Sequence, residues 1–307
     1  MLGFLGRRLA YNALVLVGVA FIVYGLVLLT SDPARALLPP PTPLETIESF
    51  RRAHGYDQPF PIQFALFLSR AVVGDFGASI RFGEPALGVV LERVPATLAL
   101  ALTGLAIAVL VSLPLGVAAA MRRGSWIDGV ARGVVVVGSG VPNFVVAQVL
   151  ILVVAVGLRA LPVSGAGTPA HLILPGLVVG LSSAAGLVRI LRSSLLEVFG
   201  RDYIRTAYAK GLSERAVVLR HALRNAAIPV VTFLAFDVAA ILSGVVIVER
   251  VFAYPGMGLL AFQAVTNRDL PVIQAFVFVS ALTIVTANLL LDVAYALLDP
   301  RIRVGAR

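Results

Sequence analysis

One carboxylate lies where the chain is otherwise apolar. Asp237 falls nine residues beyond Ile228, inside a run that ends near Val248, about 13 Å along a helix at 1.5 Å per residue. That depth is near the middle of a bilayer, where an ionised Asp is unfavourable by roughly 2.5–3.5 kcal/mol. Such a group faces a bundle interior or a water-filled path, and marks a functional hypothesis. No basic residue stands within one helical turn of it. It therefore either lines a path or accepts a structural hydrogen bond from a neighbour such as Asn143 or Ser182. Asn143 itself, in Gly138-Ser139-Gly140-Val141-Pro142-Asn143, is open to two readings: a pore-lining polar group or an interhelical hydrogen bond. Asn288, in the last apolar run, completes the set of pathway candidates.

Other chemistry is missing. A phosphate-holding P-loop needs Gly-Lys-Ser/Thr, and the single lysine, Lys210, is followed by Gly211. No Gly-x-Ser-x-Gly, His-Glu-x-x-His or paired-carboxylate site is present, so no catalytic residue is assigned and the chain is not expected to be an enzyme. Cysteine is absent, which removes thiol nucleophiles, disulfides and thiolate metal sites. His54, His171 and His221 have no ligand spacing. No metal and no cofactor bound by this chain is expected.

The elements that must position these residues are membrane spans. With 59% hydrophobic and 13% charged residues and a mean hydropathy of +0.96, the chain is far from a soluble domain, where charge runs near a quarter. The net charge of +9 does not point to nucleic acid, because it sits in short loops with no basic aromatic face. Arg7-Arg8 precede an apolar run from Leu9 to about Leu29, close to the ~20 residues needed to cross a ~30 Å hydrocarbon core, and longer than a signal-peptide core. The second span runs from about Ala96 to Met121 and stops at Arg122-Arg123. The third opens at Arg132 and reaches about Leu158, with a kink permitted at Gly138–Pro142. The fourth covers about Leu172 to Val188, the fifth Ile228 to Val248, and the sixth Leu270 to Leu298. A tight turn is expected at Pro255-Gly256-Met257-Gly258. Sixteen of the 25 basic residues fall on the side expected to be cytoplasmic, and six of the other nine in one long loop, where they count little. The expectation is an all-α integral membrane protein with six transmembrane helices and both termini cytoplasmic.

Residues 31–95 form the one sizeable extramembrane stretch. Pro39, Pro40, Pro41 and Pro43 break the first helix. Helices are expected over Leu44–Ala53, Pro61–Val73 and Ala86–Arg93, with turns at Gly74, Gly77 and Gly83. The domain reading is therefore 1–30 as terminus and first span, 31–95 as an outer cap, and 96–307 as a core holding five spans and a cytoplasmic loop, 200–227.

That loop is polar where its surroundings are not. From Arg189 to Arg224 the flank and loop hold eight basic residues against three acids, and such loops stay cytoplasmic. It reads as two short helices around a hinge. Asp202 can cap the first and Gly211 end it in a left-handed C-cap; Ser213 can cap the second, apolar through Val217, Val218 and Leu219. A helix–glycine–helix there is a handle for a soluble partner.

Arg205-Thr206-Ala207, three residues, then Gly211 resembles the EAA-x-x-x-G loop of ABC-transporter membrane subunits, in the variant of peptide-type importers. YDQPFP (Tyr56–Pro61), GDFGAS (Gly74–Ser79), ERVPATL (Glu92–Leu98), RHALRNAAIPVVT (Arg220–Thr232), VERVFAYPGMG (Val248–Gly258), NRDLPV (Asn267–Val272) and LLDPRIR (Leu297–Arg303) agree, in family order and over nearly the whole chain. Arg205 replaces the acidic first residue of the general motif, and Leu223-Arg224 stands where many such permeases have Leu-Pro.

The resemblance implies the type I ABC importer permease fold, with the cap between helices 1 and 2, in a prokaryotic inner membrane. It implies that Arg205, Thr206, Ala207, Gly211, Ser213 and Glu214 couple to an ATPase. The implied partners are a second homologous permease subunit in a heterodimer, two ATP-binding subunits that carry ATP and Mg, an extracytoplasmic substrate-binding protein, and the lipid bilayer; nucleic acid is not among them. The implied cargo is a di- or oligopeptide. A stand-alone secondary transporter or channel is the alternative, although no convincing internal repeat of the kind such folds carry is visible.

Overall fold

The computed structural model describes residues 2–30, 32–38 and 41–298. Pro39, Pro40 and the basic tail with Arg301, Arg303 and Arg307 lie outside them. Among the described residues every regular element is a helix, with one isolated antiparallel bridge between Ala78 and Pro85. Five helical stretches are long and apolar enough to cross a membrane, and a sharply bent pair makes a sixth if counted as one span. Large apolar side chains such as Leu14, Leu102 and Val136 are exposed along these stretches, as lipid-facing positions would be. Contacts divide the chain into two compact units, residues 1–95 with 256–307, and residues 96–255.

The first unit contains α1 (Leu2–Thr30), α2 (Pro33–Leu37), α3 (Leu44–Ala53), α4 (Phe60–Val72) and α5 (Ala86–Leu91). Helix α3 matches the expected bounds, α4 and α5 fall within two residues of theirs, and Gly74, Gly77 and Gly83 all have positive φ. Helix α2 was not expected; Asp32 caps it by accepting from Ala34 N and pairs with Arg51 of α3 at 2.5 Å. Phe21 and Tyr24 of α1 meet Phe60, Phe64 and Phe67 of α4 in a ladder of aromatic rings, the type of contact that adds about 0.5–1.5 kcal/mol per pair beyond area burial.

The same unit holds two C-terminal helices, α13 (Met257–Thr266) and α14 (Leu270–Leu298). The tight turn expected at Pro255–Gly258 is not there. The chain turns earlier, with Ala253 at φ 47°, and Met257 begins a ten-residue helix whose Met257, Leu260 and Ala264 are buried with Val89, Val90 and Val272. Apolar residues at i, i+3 and i+7 fit a helix face, a period too short in that loop to stand out beside the spans.

The second unit is built on α6 (Val94–Met121), α7 (Trp126–Gly140), α8 (Asn143–Leu150), α9 (Ala170–Phe199), α10 (Asp202–Ala209), α11 (Glu214–Ala216) and α12 (Leu223–Val251). Helix α9 is its axis. Small residues set the spacing: a Cβ on Gly180 would lie 2.7 Å from Ile107 Cβ and 2.8 Å from the Gly104 carbonyl oxygen of α6. Bilayer helices associate through such close approach, since lipid offers no hydrophobic drive between them. The expected kink in the third span is a full break. Helices α7 and α8 meet at 111°, because Pro142 has no N–H to continue the α7 ladder and instead precedes α8 as its N-cap residue. The segment also begins earlier than Arg132, at Trp126, where Ser125 caps α7 by accepting from Asp128 N. The fourth span is likewise longer than expected, reaching Phe199 without interruption.

Candidate functional site

Helix α9 ends at Gly200, and the loop region begins with Arg201 in extended backbone as the N-cap of α10, without a side-chain cap bond. Asp202 is thus the first helical residue and not the cap, a correction; its carboxylate lies 3.6 Å from Arg205, both exposed, a geometry worth little in water. Ile204 and Ala207 are buried against Leu191, Leu195 and Val217, which leaves Arg205, Thr206, Tyr208 and Lys210 exposed on the other face.

The hinge has the expected chemistry. Gly211 N donates to Tyr208 O at 2.9 Å and Leu212 N to Ala207 O at 3.3 Å, the paired bonds of a Schellman motif, with Gly211 at φ 78° in the left-handed region. Ser213 Oγ accepts from Ala216 N at 3.4 Å and Glu214 stands in the first turn that follows, where a negative charge suits the helix dipole. The second helix is not a separate short one, however. After α11 the backbone widens into a π-helix over Val217–Ala222 and runs on as α12. Nothing between Ser213 and Pro229 breaks a helix, so hinge and fifth span share one rod. Val217 and Val218 are buried, as an apolar face requires, but Leu219 is 54% exposed.

This arrangement anchors two helix ends by apolar residues and leaves their polar faces in solvent. It can seat in the groove of a soluble partner.

Inside the unit, Asp237 on α12 lies beside Ser183 of α9. Among the described residues its Oδ2 is buried with no hydrogen-bond partner. Asn143 and Ser182 instead line a separate, mainly apolar cavity of about 320 Å³ at the α7–α8 break, walled by Val137, Gly138, Val178 and Leu181. Neighbouring serines on α9 thus lie in different surroundings, Ser182 at the cavity and Ser183 beside Asp237. Asn288 belongs to the other unit, on α14, and is exposed.

Two buried polar pairs escaped the sequence reading. Asp128 is 2% exposed and receives Arg192 Nε at 2.6 Å, Arg192 Nη2 at 3.1 Å and Gly124 N at 3.0 Å. The Ser125-x-x-Asp128 spacing is an N-terminal helix signal, and could have located α7. Glu249 is completely buried, and Thr97 Oγ1 donates to its Oε1 at 2.6 Å. This bond joins the ERVPATL and VERVFAYPGMG stretches.

Comparison with known proteins adds the following. Residues 112–304 match the family described as binding-protein-dependent transport system inner membrane component, and residues 1–101 match its N-terminal membrane component. The glutathione transport system permease protein GsiC of Salmonella choleraesuis (strain SC-B67) is 40% identical over 304 residues, 99% of each chain. The protein of the same name from Escherichia coli (strain K12) is 40% identical over 308 residues, again 99% of each. Among solved structures, an inward-facing MetNI methionine ABC transporter aligns with TM-score 0.59 at 15% identity, covering 70% of this chain and 99% of that one. An amino acid ABC transporter with histidines aligns with TM-score 0.54 at 19% identity, covering 67% and 92%.

Proposed function

The chain belongs to the inner-membrane permease components of binding-protein-dependent ABC importers, and on that premise we propose that residues 202–216 are where an ATPase subunit delivers its motion. The supporting observation is the hinge itself: a Schellman turn at Gly211 and a capped start at Ser213, with Ile204, Ala207, Val217 and Val218 buried behind an exposed polar face. In this reading Arg205, Thr206, Lys210, Ser213 and Glu214 form the contact surface, while Ala207 and Gly211 shape it. Family membership sets aside the alternative of a stand-alone transporter or channel.

The finer partnership is a heterodimer with a second permease and two ATP-binding subunits, where ATP and Mg reside, with the binding protein on the opposite face of the membrane. Both termini and the 200–227 loop then face the cytoplasm, as the basic-residue bias favours. ATP binding shifts the pathway only by favouring one of its conformations over the other. The cargo is a short peptide, with glutathione first to be tried because permeases of that name are 40% identical over the full length.

The assembled complex with its genomic partners, reconstituted in proteoliposomes, tests this. ATPase activity should rise with binding protein plus glutathione or a dipeptide, and Arg205→Glu combined with Glu214→Lys should abolish the rise. Unchanged stimulation in that double variant would remove the loop from coupling, whereas stimulation by neither ligand would remove only the cargo assignment.

A further inference from the structure

The first unit carries an open cavity of about 560 Å³ beside the C-terminal end of α1 and the N-terminal end of α14, within the 300–1,000 Å³ range of small-molecule sites. Its walls are aromatic in part. Phe50, His54 and Tyr56 stack with near-parallel rings, and Tyr24 stacks on Phe67 at 4.8 Å. Its charges are one of each sign, Arg70 and Asp75.

The backbone holds those two residues together. Gly74 N donates to Ala71 O at 3.0 Å and Asp75 N to Arg70 O at 2.9 Å, so the capping turn of α4 closes across Arg70 and Asp75 themselves. Gly74 holds the left-handed conformation, φ 79°, that this turn needs. Asp75 Oδ1 accepts from Gly77 N at 3.0 Å, which orients the carboxylate. Yet among the described residues neither Arg70 nor Asp75 forms an ion pair. Arg70 also acts electrostatically on Tyr56, opposing the upward push that burial gives its phenol pKa, so Tyr56 stays a neutral hydroxyl beside a cation. A cation and an anion at adjacent sites, each lacking an ionic partner, with flat apolar faces beside them, match a ligand that brings both opposite charges.

We propose that this cavity binds a small zwitterion, with Arg70 taking its carboxylate or phosphate, Asp75 its ammonium, and the aromatic faces its apolar part. Guanidinium pairs bidentately with either anion. The same chemistry comes from a free amino acid or peptide and from a phosphatidylethanolamine headgroup, and the cavity's place at the ends of α1 and α14 admits both. The site does not rest on the coupling role or on the cargo proposed above.

The full-length chain in nanodiscs provides the test. Equilibrium dialysis with radiolabelled glycyl-phenylalanine in phosphatidylglycerol discs examines the peptide source. Native mass spectrometry from mixed phosphatidylethanolamine and phosphatidylglycerol discs examines the lipid source. In whichever arm binds, Arg70→Gln and Asp75→Asn should each weaken binding about tenfold, the scale of a lost charged hydrogen bond. Arg52→Gln, an exposed arginine outside the cavity wall, should leave it unchanged. Both tested side chains are exposed, and equal melting temperatures would confirm intact variants. Binding in neither arm overturns the proposal. So does binding that ignores both variants, and loss with Arg70→Gln alone reduces the site to an anion site and overturns the zwitterion.

Discussion

Asp269 and Ser79, 190 residues apart in the chain, are joined by a 2.5 Å hydrogen bond from the serine hydroxyl to the buried carboxylate. The same carboxylate accepts from Ile80 N at 3.2 Å and Arg81 N at 3.3 Å, and from Val272 N at 3.5 Å at the start of α14. One side chain thus caps a helix and ties down the loop after α4. This explains why GDFGAS and NRDLPV occur together: each supplies half of a polar knot. Asp269→Ala would remove the acceptor of the Ser79 hydroxyl and of three backbone N–H groups, at about 1–3 kcal/mol for each that stays buried and unpaired. The expected result is a large drop in melting temperature in nanodiscs, with Asp269→Asn intermediate because it keeps one acceptor oxygen. Equal melting of the Ala variant and the parent would dissolve the knot as a stabilising feature.

Asp128 and Arg192 offer a cleaner pairwise measurement. The carboxylate is buried, while the guanidinium is 25% exposed, so the coupling should fall between an exposed pair and a fully buried one. A double-mutant cycle with Asp128→Asn and Arg192→Gln is expected to give about 1–3 kcal/mol. A coupling near zero would mean that α7 and α9 are held by apolar packing alone.

Close approach of α6 and α9 is the basis of a third prediction. Gly180→Ala places a methyl against Ile107 Cβ and a backbone carbonyl, neither of which can swing away. Overpacking of this type costs about 1–3 kcal/mol, read as a lower melting temperature with normal membrane insertion. Gly129→Ala is the control: nothing lies within 4 Å of the added Cβ, and no loss is expected.

At Gly211 the constraint is conformational rather than steric, since an added Cβ would meet nothing within 4 Å. Gly211→Val should strain the turn by about 1–2 kcal/mol and reduce substrate-stimulated ATPase activity of the assembled complex. Gly211→Asn should retain most of it, because Asn tolerates the left-handed region. If Val performs as well as Asn, the turn geometry has no part in coupling.

For Asp237, charge and hydrogen bonding can be separated. Asp237→Asn keeps a polar group beside Ser183 and removes the charge; Asp237→Leu removes both. Should the carboxylate serve an ammonium group in transit, uptake of cationic peptides falls at least about tenfold in both variants, the lower end for a lost charged contact, while subunit assembly persists. Loss of assembly in Leu alone, with Asn transporting normally, assigns Asp237 to structure.

Much of this was legible in the residues. Apolar runs of span length located the long helices, and Gly74, Gly77, Gly83 and Gly211 announced their turns, because only a left-handed backbone gives glycine an advantage there. The misreadings have physical causes. Pro142 permits either a kink or a break, and the residues around it fit both. Ser213 signals where a helix starts but not how far it runs, so the link from α11 to α12 was invisible. Asp128, Glu249 and Asp269 were unreadable as buried groups because their partners, Arg192, Thr97 and Ser79, are 64, 152 and 190 positions away.

The π-helical turn at Val217–Ala222 has a mechanical meaning. It carries an extra residue relative to an α-helical path, and it lies between Ser213 and Asp237 on one continuous backbone. A rod wound this way transmits torque as well as thrust. If the turn rewound as α-helix, the spare residue would have to go somewhere, rotating one end against the other by about 100° and shifting it by about 1.5 Å. A one-residue deletion within 217–222 is therefore expected to change which residues of the fifth span crosslink to α9, with Asp237 leaving Ser183; an unaltered crosslinking pattern would mean that the winding stores no motion. The span and its handle are a single screw whose thread is slack at one turn, next to the end where the ATPase is proposed to grip.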